Sequence, residues 1–162
     1  MSVTSEATSI WQGSLAAGSG TVNLDSSGSG TFEVNWKARS EGSSTTTTPE
    51  ELLAAAHAAC FSMALSNALT SNGTPPESIQ ATASVTFKPG TGITGSHLLV
   101  NAIVPGLSPA DFDRLANDAK TNCPVSRALT GVAITLEATR LPKAGEHRAA
   151  PAQPPAGGLQ GA

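Results

Sequence analysis

The sequence predicts an α+β domain, and three observations carry that expectation. Apolar residues alternate with polar ones, at the period of a strand, both early in the chain and in its second half. A long uncharged stretch, Leu52 to Leu69, follows a helix-capping signal, and a second capped segment follows Ser108-Pro109. Strands, helix, strands, helix and strand in that order read as α+β.

Taken in order, the chain before Gly42 reads as short strands split by Gly/Ser turns. Val22 and Leu24 alternate with polar neighbours, and SSGSG makes a turn. Phe32, Val34, Trp36 and Ala38 then alternate with Glu33, Asn35, Lys37 and Arg39, which predicts a half-buried strand ending at Arg39. After a Ser/Thr-rich loop, Thr48-Pro49-Glu50-Glu51 has the form of a capping box. Thr48 is the N-cap, Pro49 stands at N1, and Glu51 at N3 reaches back to the cap amide.

The helix opened there, LLAAAHAACFSMALSNAL, carries no Lys, Arg, Asp or Glu. Its length raises the question of a membrane span. His57, Ser62, Ser66 and Asn67 put polar groups on several faces, and a helix apolar nearly all round in a soluble chain is a buried one. In a domain this small, full burial is easiest at a subunit interface, so a homodimer is expected and a membrane is not. Downstream, Ile79, Ala81, Ala83, Val85 and Phe87 alternate, and HLLVNAIV forms the next strand. Gly90-Thr91-Gly92-Ile93-Thr94-Gly95 between them matches GxGxxG literally. The dinucleotide fingerprint needs a helix after the turn, and here an apolar β-rich run follows, so the segment reads as a hairpin turn. Ser108-Pro109 opens a helix with Phe112, Leu115, Ala116 and Ala119 on one face, and VAITLEATRL closes the domain as a strand.

Composition narrows the function. The chain has 162 residues, 39% of them hydrophobic and 13% charged; the charged share is about half the usual ~25%. A net charge of −3 with no basic cluster argues against a nucleic-acid partner. The N-terminus has neither a basic n-region nor a continuous apolar run, so no secretory signal is expected. With only two cysteines, a reducing, cytoplasmic setting follows. His57, His97 and His147 are too scattered to form a metal cluster with the cysteines, and no metal site is expected. From Lys143 to Ala162, 13 residues are Ala, Gly or Pro. Such a segment buries too little to offset its ordering entropy, and it reads as a flexible tail beyond a domain of residues 1–142. No internal repeat is present.

The residues with chemistry are few. Cys60 lies mid-helix, and Cys123 precedes a proline. Either is a buried small hydrophobe or a reactive thiol. Cys123-Pro124-Val125-Ser126 reads as an N-cap followed by Pro at N1, a position that favours thiolate. His57 stands one turn before Cys60, either as a proton partner or as a packing histidine. Glu51 has a capping role, whereas Glu50 has no structural one assigned. Arg39 is either a solvated strand-end charge or a functional cation.

Read together, TPEELLAAAHAACFSMAL and the later NCPVSRAL closely resemble the OsmC/Ohr family of thiol-dependent hydroperoxide reductases. The resemblance covers roughly residues 8–141 and leaves the tail outside it. It implies an OsmC-like fold: antiparallel sheets around a long buried central helix in an intertwined homodimer. By position, Cys60 falls on the family's peroxidatic cysteine, Cys123 on its resolving cysteine, Glu50 on its active-site glutamate, and Arg39 on the arginine of the OsmC branch. The Ohr branch takes its arginine from nearer the N-terminus, and residues 1–36 here contain no Lys or Arg.

The implied reaction is reduction of organic hydroperoxides, and more weakly of hydrogen peroxide, in oxidative or osmotic stress defence. It runs through a Cys60 sulfenic acid and a Cys60–Cys123 disulfide, which an external dithiol such as a dihydrolipoyl protein reduces. No prosthetic cofactor is implied. Glu50 and Cys60 are ten residues apart on one helix, about 15 Å along its axis and roughly 80° off a common face. Arg39 and Glu50 are therefore expected to reach Cys60 from the partner subunit, with Leu53, Phe61 and Met63 lining an apolar approach. Two other readings stand beside the peroxidase: a redox-sensing dimer, and a non-catalytic binding module of the same fold.

Overall fold

The computed structural model describes residues 1–143; beyond Lys143 itself, the tail expected to begin there lies outside the described residues. The chain opens with a three-stranded antiparallel sheet in sequence order, β1 (Thr8–Gln12), β2 (Ser19–Asn23) and β3 (Thr31–Asn35). The expected strand through Arg39 stops at Asn35. Its last residues form a short helix instead, α1 (Trp36–Glu41). The cause is Asn35, whose Oδ1 accepts the Ala38 amide at 2.8 Å and so acts as an N-cap. Alternation up to Ala38 masks this, since Val34 and Ala38 are both buried, one from each element. Gly42 ends α1 with φ 86°, a conformation that costs other residues strain.

The second helix, α2 (Pro49–Ser71), begins as expected. Thr48 Oγ1 accepts the Glu51 amide at 3.1 Å. The return half of the capping box is replaced, because the Glu51 carboxylate accepts the Thr47 hydroxyl at 2.6 Å. Within one chain α2 is not buried all round. His57, Phe61, Leu65 and Leu69, spaced by four, form a buried stripe, with Glu50 buried nearer the N-terminus. Ala55, Ala59, Met63 and Asn67, also spaced by four, are exposed on the opposite side. The face of Ala55, Ala59, Met63 and Asn67 thus carries no charge and is left uncovered by the described residues.

A second sheet follows, made of β4 (Ser78–Lys88), β5 (Gly92–Ile103) and β6 (Ala133–Leu141). The expected turn between β4 and β5 falls at Gly90-Thr91, with Gly90 at φ 79°, while Gly92 to Gly95 of the GxGxxG segment already belong to β5. Two helices connect β5 to β6: α3 (Pro109–Asn122), capped by Ser108 Oγ at 3.1 Å from the Asp111 amide, and α4 (Pro124–Ala128). This sheet is mixed rather than antiparallel throughout, since β6 runs parallel to β5 from Gly95↔Ala133 to Ile103↔Leu141. The helical connection is what permits this, because it carries the chain back to the start of β5 before β6 begins.

The core lies between α2, the second sheet and α3. Phe61, Leu65 and Leu69 from α2 meet Leu98, Val100 and Ala102 from β5 and Phe112, Leu115, Ala116 and Ala119 from α3. Cys123 belongs to the same cluster and is fully buried. The first sheet lies apart from it, with Ile10, Trp11 and Phe32 exposed.

Candidate active site

Two pairs of side chains stand out, one at each end of the chemistry expected from the sequence. The first is the dithiol. Cys60, half-buried in the middle of α2, and Cys123, buried at the α3–α4 junction, are free thiols whose sulfurs share a hydrogen bond at 3.2 Å. They are 63 residues apart in sequence, so only the packing of α2 against the α3–α4 corner brings them together.

Their environments differ. Burial pushes the Cys60 thiol above its ordinary value, opposed by the Val125 amide and reinforced by the adjoining Cys123 sulfur. Burial acts on Cys123 in the same direction, but the Ser126 amide, the Cys60 thiol, the Ser126 hydroxyl and the Val125 amide outweigh it and hold Cys123 below its ordinary value. The Cys123 direction agrees with the expectation for a cysteine opening a helix. Among the described residues, no cation contributes to either thiol.

The second pair is Arg39 with Glu50. Arg39, on the last turn of α1, places Nη2 2.8 Å and Nε 3.1 Å from Glu50 Oε1, with Nε 3.3 Å from Oε2. Glu50 is 6% exposed, so its carboxylate depends on this partner. The guanidinium also lies 4.4 Å from the centre of the Phe87 ring, which meets Trp36 edge-on at 6.0 Å. Arg39 is therefore held on two sides while its side chain remains 33% exposed. It is not the solvated charge at a strand end that was one of its two sequence readings.

The two pairs stay apart within the chain. Glu50 lies in the first turn of α2 and Cys60 ten residues on, about 15 Å along a helix axis. Beside Arg39 opens a cavity of about 500 Å³, walled by Trp11, Leu15, Val22, Val34, Trp36, Pro49 and Leu52, with Ser9 and Asn35 at its edge. A larger hollow of about 610 Å³ along Ser43–Thr47 is lined mainly by hydroxyls and Glu33 and Glu51, and touches none of the four residues. Of the side chains expected to line an apolar approach, Leu53 is half-buried and Met63 exposed. Phe61 is fully buried in the core and does not contribute, because it lies on the inward stripe of α2.

His57 is committed elsewhere than to Cys60. Its Nδ1 is 2.8 Å from Ser96 Oγ and its Nε2 2.9 Å from Ser126 Oγ. With both nitrogens engaged, the ring has none left for Cys60, and burial pushes it below the ordinary imidazole value. Sequence reasoning missed Ser126, Ser96 and Phe87. Ser126 had a signal, standing three residues after the cysteine N-cap; Ser96 and Phe87 reach the site only through the second sheet.

Comparison with known proteins bears on the family and the fold. Residues 41–137 match the family described as OsmC-like protein. The chain is 42% identical over 130 residues to the protein named Peroxiredoxin OsmC of Escherichia coli K12, spanning 78% of this chain and 90% of that one. It belongs to the OsmC family. Among solved structures, this OsmC-family chain is similar to the organic hydroperoxide resistance protein OhrB of Bacillus subtilis, at TM-score 0.64 and 28% identity, over 85% of this chain and 98% of that one. An organic hydroperoxide resistance protein from Elizabethkingia anophelis aligns at TM-score 0.64 and 27% identity, covering 86% and 99%. The α+β fold of two small sheets with helices is thus the OsmC/Ohr fold.

Proposed function

We propose that this OsmC-family protein is a cysteine-based peroxidase that reduces organic hydroperoxides. The observation that carries the reading is the pair of free thiols 3.2 Å apart, one half-buried and one fully buried. The more accessible sulfur, Cys60, is the one a hydroperoxide meets. Its thiolate attacks the outer oxygen of the O–O bond, that bond breaks, and the alkoxide leaves as the alcohol after taking a proton. Cys60 is then a sulfenic acid. Cys123 attacks its sulfur, the S–S bond forms, and water leaves. An external dithiol, such as a protein-bound dihydrolipoyl group, restores both thiols by exchange.

Activation of Cys60 needs a cation, and none among the described residues of its own chain acts on it. The uncharged exposed face of α2 and the uncovered apolar residues of the first sheet support a homodimer. In that dimer Arg39, oriented by Glu50, is delivered to the partner's thiol. The apolar cavity beside Arg39 supports bulky apolar hydroperoxides over hydrogen peroxide.

A thiol titration before and after one equivalent of cumene hydroperoxide tests the reading. Both thiols disappear rapidly in the wild type, and Cys123→Ser stops at the sulfenic acid. Two thiols untouched after minutes would leave a non-catalytic binding module in its place.

A further inference from the structure

The end of the β4–β5 hairpin does more than turn the chain. Pairing along the two strands is regular from Ser78↔Ile103 to Thr86↔Gly95, and then Phe87 pairs with Ile93. Thr94 is the extra residue, a β-bulge in β5. A bulge bends a strand pair, raises its twist and re-aims side chains beside it. Phe87 is the first β4 residue beyond the bulge, and its ring lies against two side chains of α1.

Those two side chains are Trp36 and Arg39, three residues apart on α1 and so on one face of that helix. The Trp36 ring meets Phe87 edge-on, with centroids 6.0 Å apart and planes at 84°. The Arg39 guanidinium carbon stands over the Phe87 ring, 4.4 Å from its centroid. The electron-rich face of an aromatic ring attracts a cation placed there. Glu50 holds the same guanidinium by an edge, through Nε and Nη2, which leaves Nη1 outside that pair. One contact fixes the edge of the group and the other its face. Filling the space between hairpin and helix is the plainer account of a half-buried phenylalanine. An apolar side chain of similar volume would fill it as well, with no ring face over the charge.

We propose that Phe87, presented by the bulged end of the hairpin, is a positioning residue that fixes the Arg39 guanidinium for the first chemical step and acts on the peroxide only through Arg39. The inference rests on the peroxidase reading, in which Arg39 serves the partner's thiol. In that step the Cys60 thiolate gives an electron pair to the outer peroxide oxygen. The S–O bond forms, the O–O bond breaks, and the alkoxide takes a proton and leaves as the alcohol. Negative charge moves from sulfur to the leaving oxygen, and a guanidinium held in place stabilises it at both ends. Phe87 does not line the apolar cavity beside Arg39, so its loss acts on the step and not on the grip on an apolar tail.

The test uses the full-length protein in a Cys123→Ser background, where Cys60 is the one cysteine left and sulfenic acid formation is isolated. Phe87→Leu and Phe87→Met fill the space without an aromatic face, and either serves if the other does not fold. Each slows sulfenic acid formation about fivefold, the size of one cation–π contact. The factor is the same with cumene hydroperoxide and with hydrogen peroxide, which has no apolar tail. Each also raises the pH midpoint of Cys60 thiolate absorbance by about half a unit. Phe87→Tyr, which keeps the ring face, recovers both. In an Arg39→Met, Glu50→Gln background, which removes the cation together with its buried partner charge, Phe87→Leu changes neither quantity further.

Unchanged rates in Phe87→Leu and Phe87→Met overturn the proposal. So does an equal loss in Phe87→Tyr, or a loss of the same size without Arg39; either makes the ring a packing element. A loss confined to cumene hydroperoxide overturns it too, and makes Phe87 a wall of the substrate cavity. Should the Arg39→Met, Glu50→Gln protein react as fast as its parent, Arg39 has no part in the step, and Phe87 loses its role with it. A parent that forms no sulfenic acid overturns the peroxidase reading itself.

Discussion

The two halves of this chain are built to different standards. The half made of α2, β4–β6 and α3 encloses a core in which Phe61, Leu65, Leu69, Leu98, Val100 and Phe112 are fully buried. The N-terminal half, β1–β3 with α1, leaves Ile10 55% and Trp11 41% exposed. Yet the N-terminal half presents Arg39 and most of the apolar cavity, while the self-sufficient half holds the dithiol. The contrast teaches that completeness of fold and completeness of site are separate matters. One half encloses its own core, and the other leaves large apolar side chains exposed.

The largest effect that sharpens the contrast is in the core. Phe61→Ala removes a fully buried ring and should lower stability by about 3–5 kcal/mol; Trp11→Ala should cost far less in an isolated chain. If denaturation in urea gives equal losses at low protein concentration, the two halves are not built differently. Next comes the buried ion pair. Arg39→Ala strands a carboxylate that is 6% exposed, at a cost of about 3 kcal/mol, and abolishes peroxide turnover. Glu50→Gln should be milder in stability, and steady-state turnover with thermal melts separates the two effects.

Met63→Glu tests the cover. At an exposed site the charge changes the stability of one chain by under ~0.5 kcal/mol, but on a face that meets its own copy it halves the mass seen by light scattering. A wild type already monomeric at micromolar concentration would defeat the cross-subunit site. The smallest effects are local. Thr48→Ala removes the N-cap of α2 and should cost about 1 kcal/mol by chemical denaturation.

The pH dependence of stability follows from His57. Its folded-state value is lowered by burial, so the unfolded chain protonates first as pH falls. The stabilisation from keeping the ring neutral is full above the unfolded value of about 6.5 and is lost as pH drops below it. His57→Gln should flatten that part of the stability profile; an unchanged slope would mean another group sets it.

Much of this was legible one segment at a time. Thr48 and Ser108 announced their helices, alternation from Ile79 to Phe87 announced β4, and the motif around Cys60 carried the family. Those signals work because caps, turns and amphipathic periods involve residues within a few positions of each other. The same locality explains the failure at Trp36–Glu41. Alternation from Phe32 to Ala38 looked like one strand, whereas the Asn35 cap split it into a strand and a helix.

What the amino-acid order determined unaided was thus most of the elements, the caps at Thr48 and Ser108, the uncharged run from Leu52 to Leu69 and the candidates Arg39, Glu50, Cys60 and Cys123. Tertiary structure decided which of these meet: Cys60 with Cys123 across 63 positions, Arg39 with Glu50 across 11, and His57 with Ser126 across 69. It also decided that β6 runs parallel to β5. The physical reason is that such contacts have no local period to announce them. They follow from how whole helices and sheets pack, and a side chain's partner is set by the face its element turns toward the core.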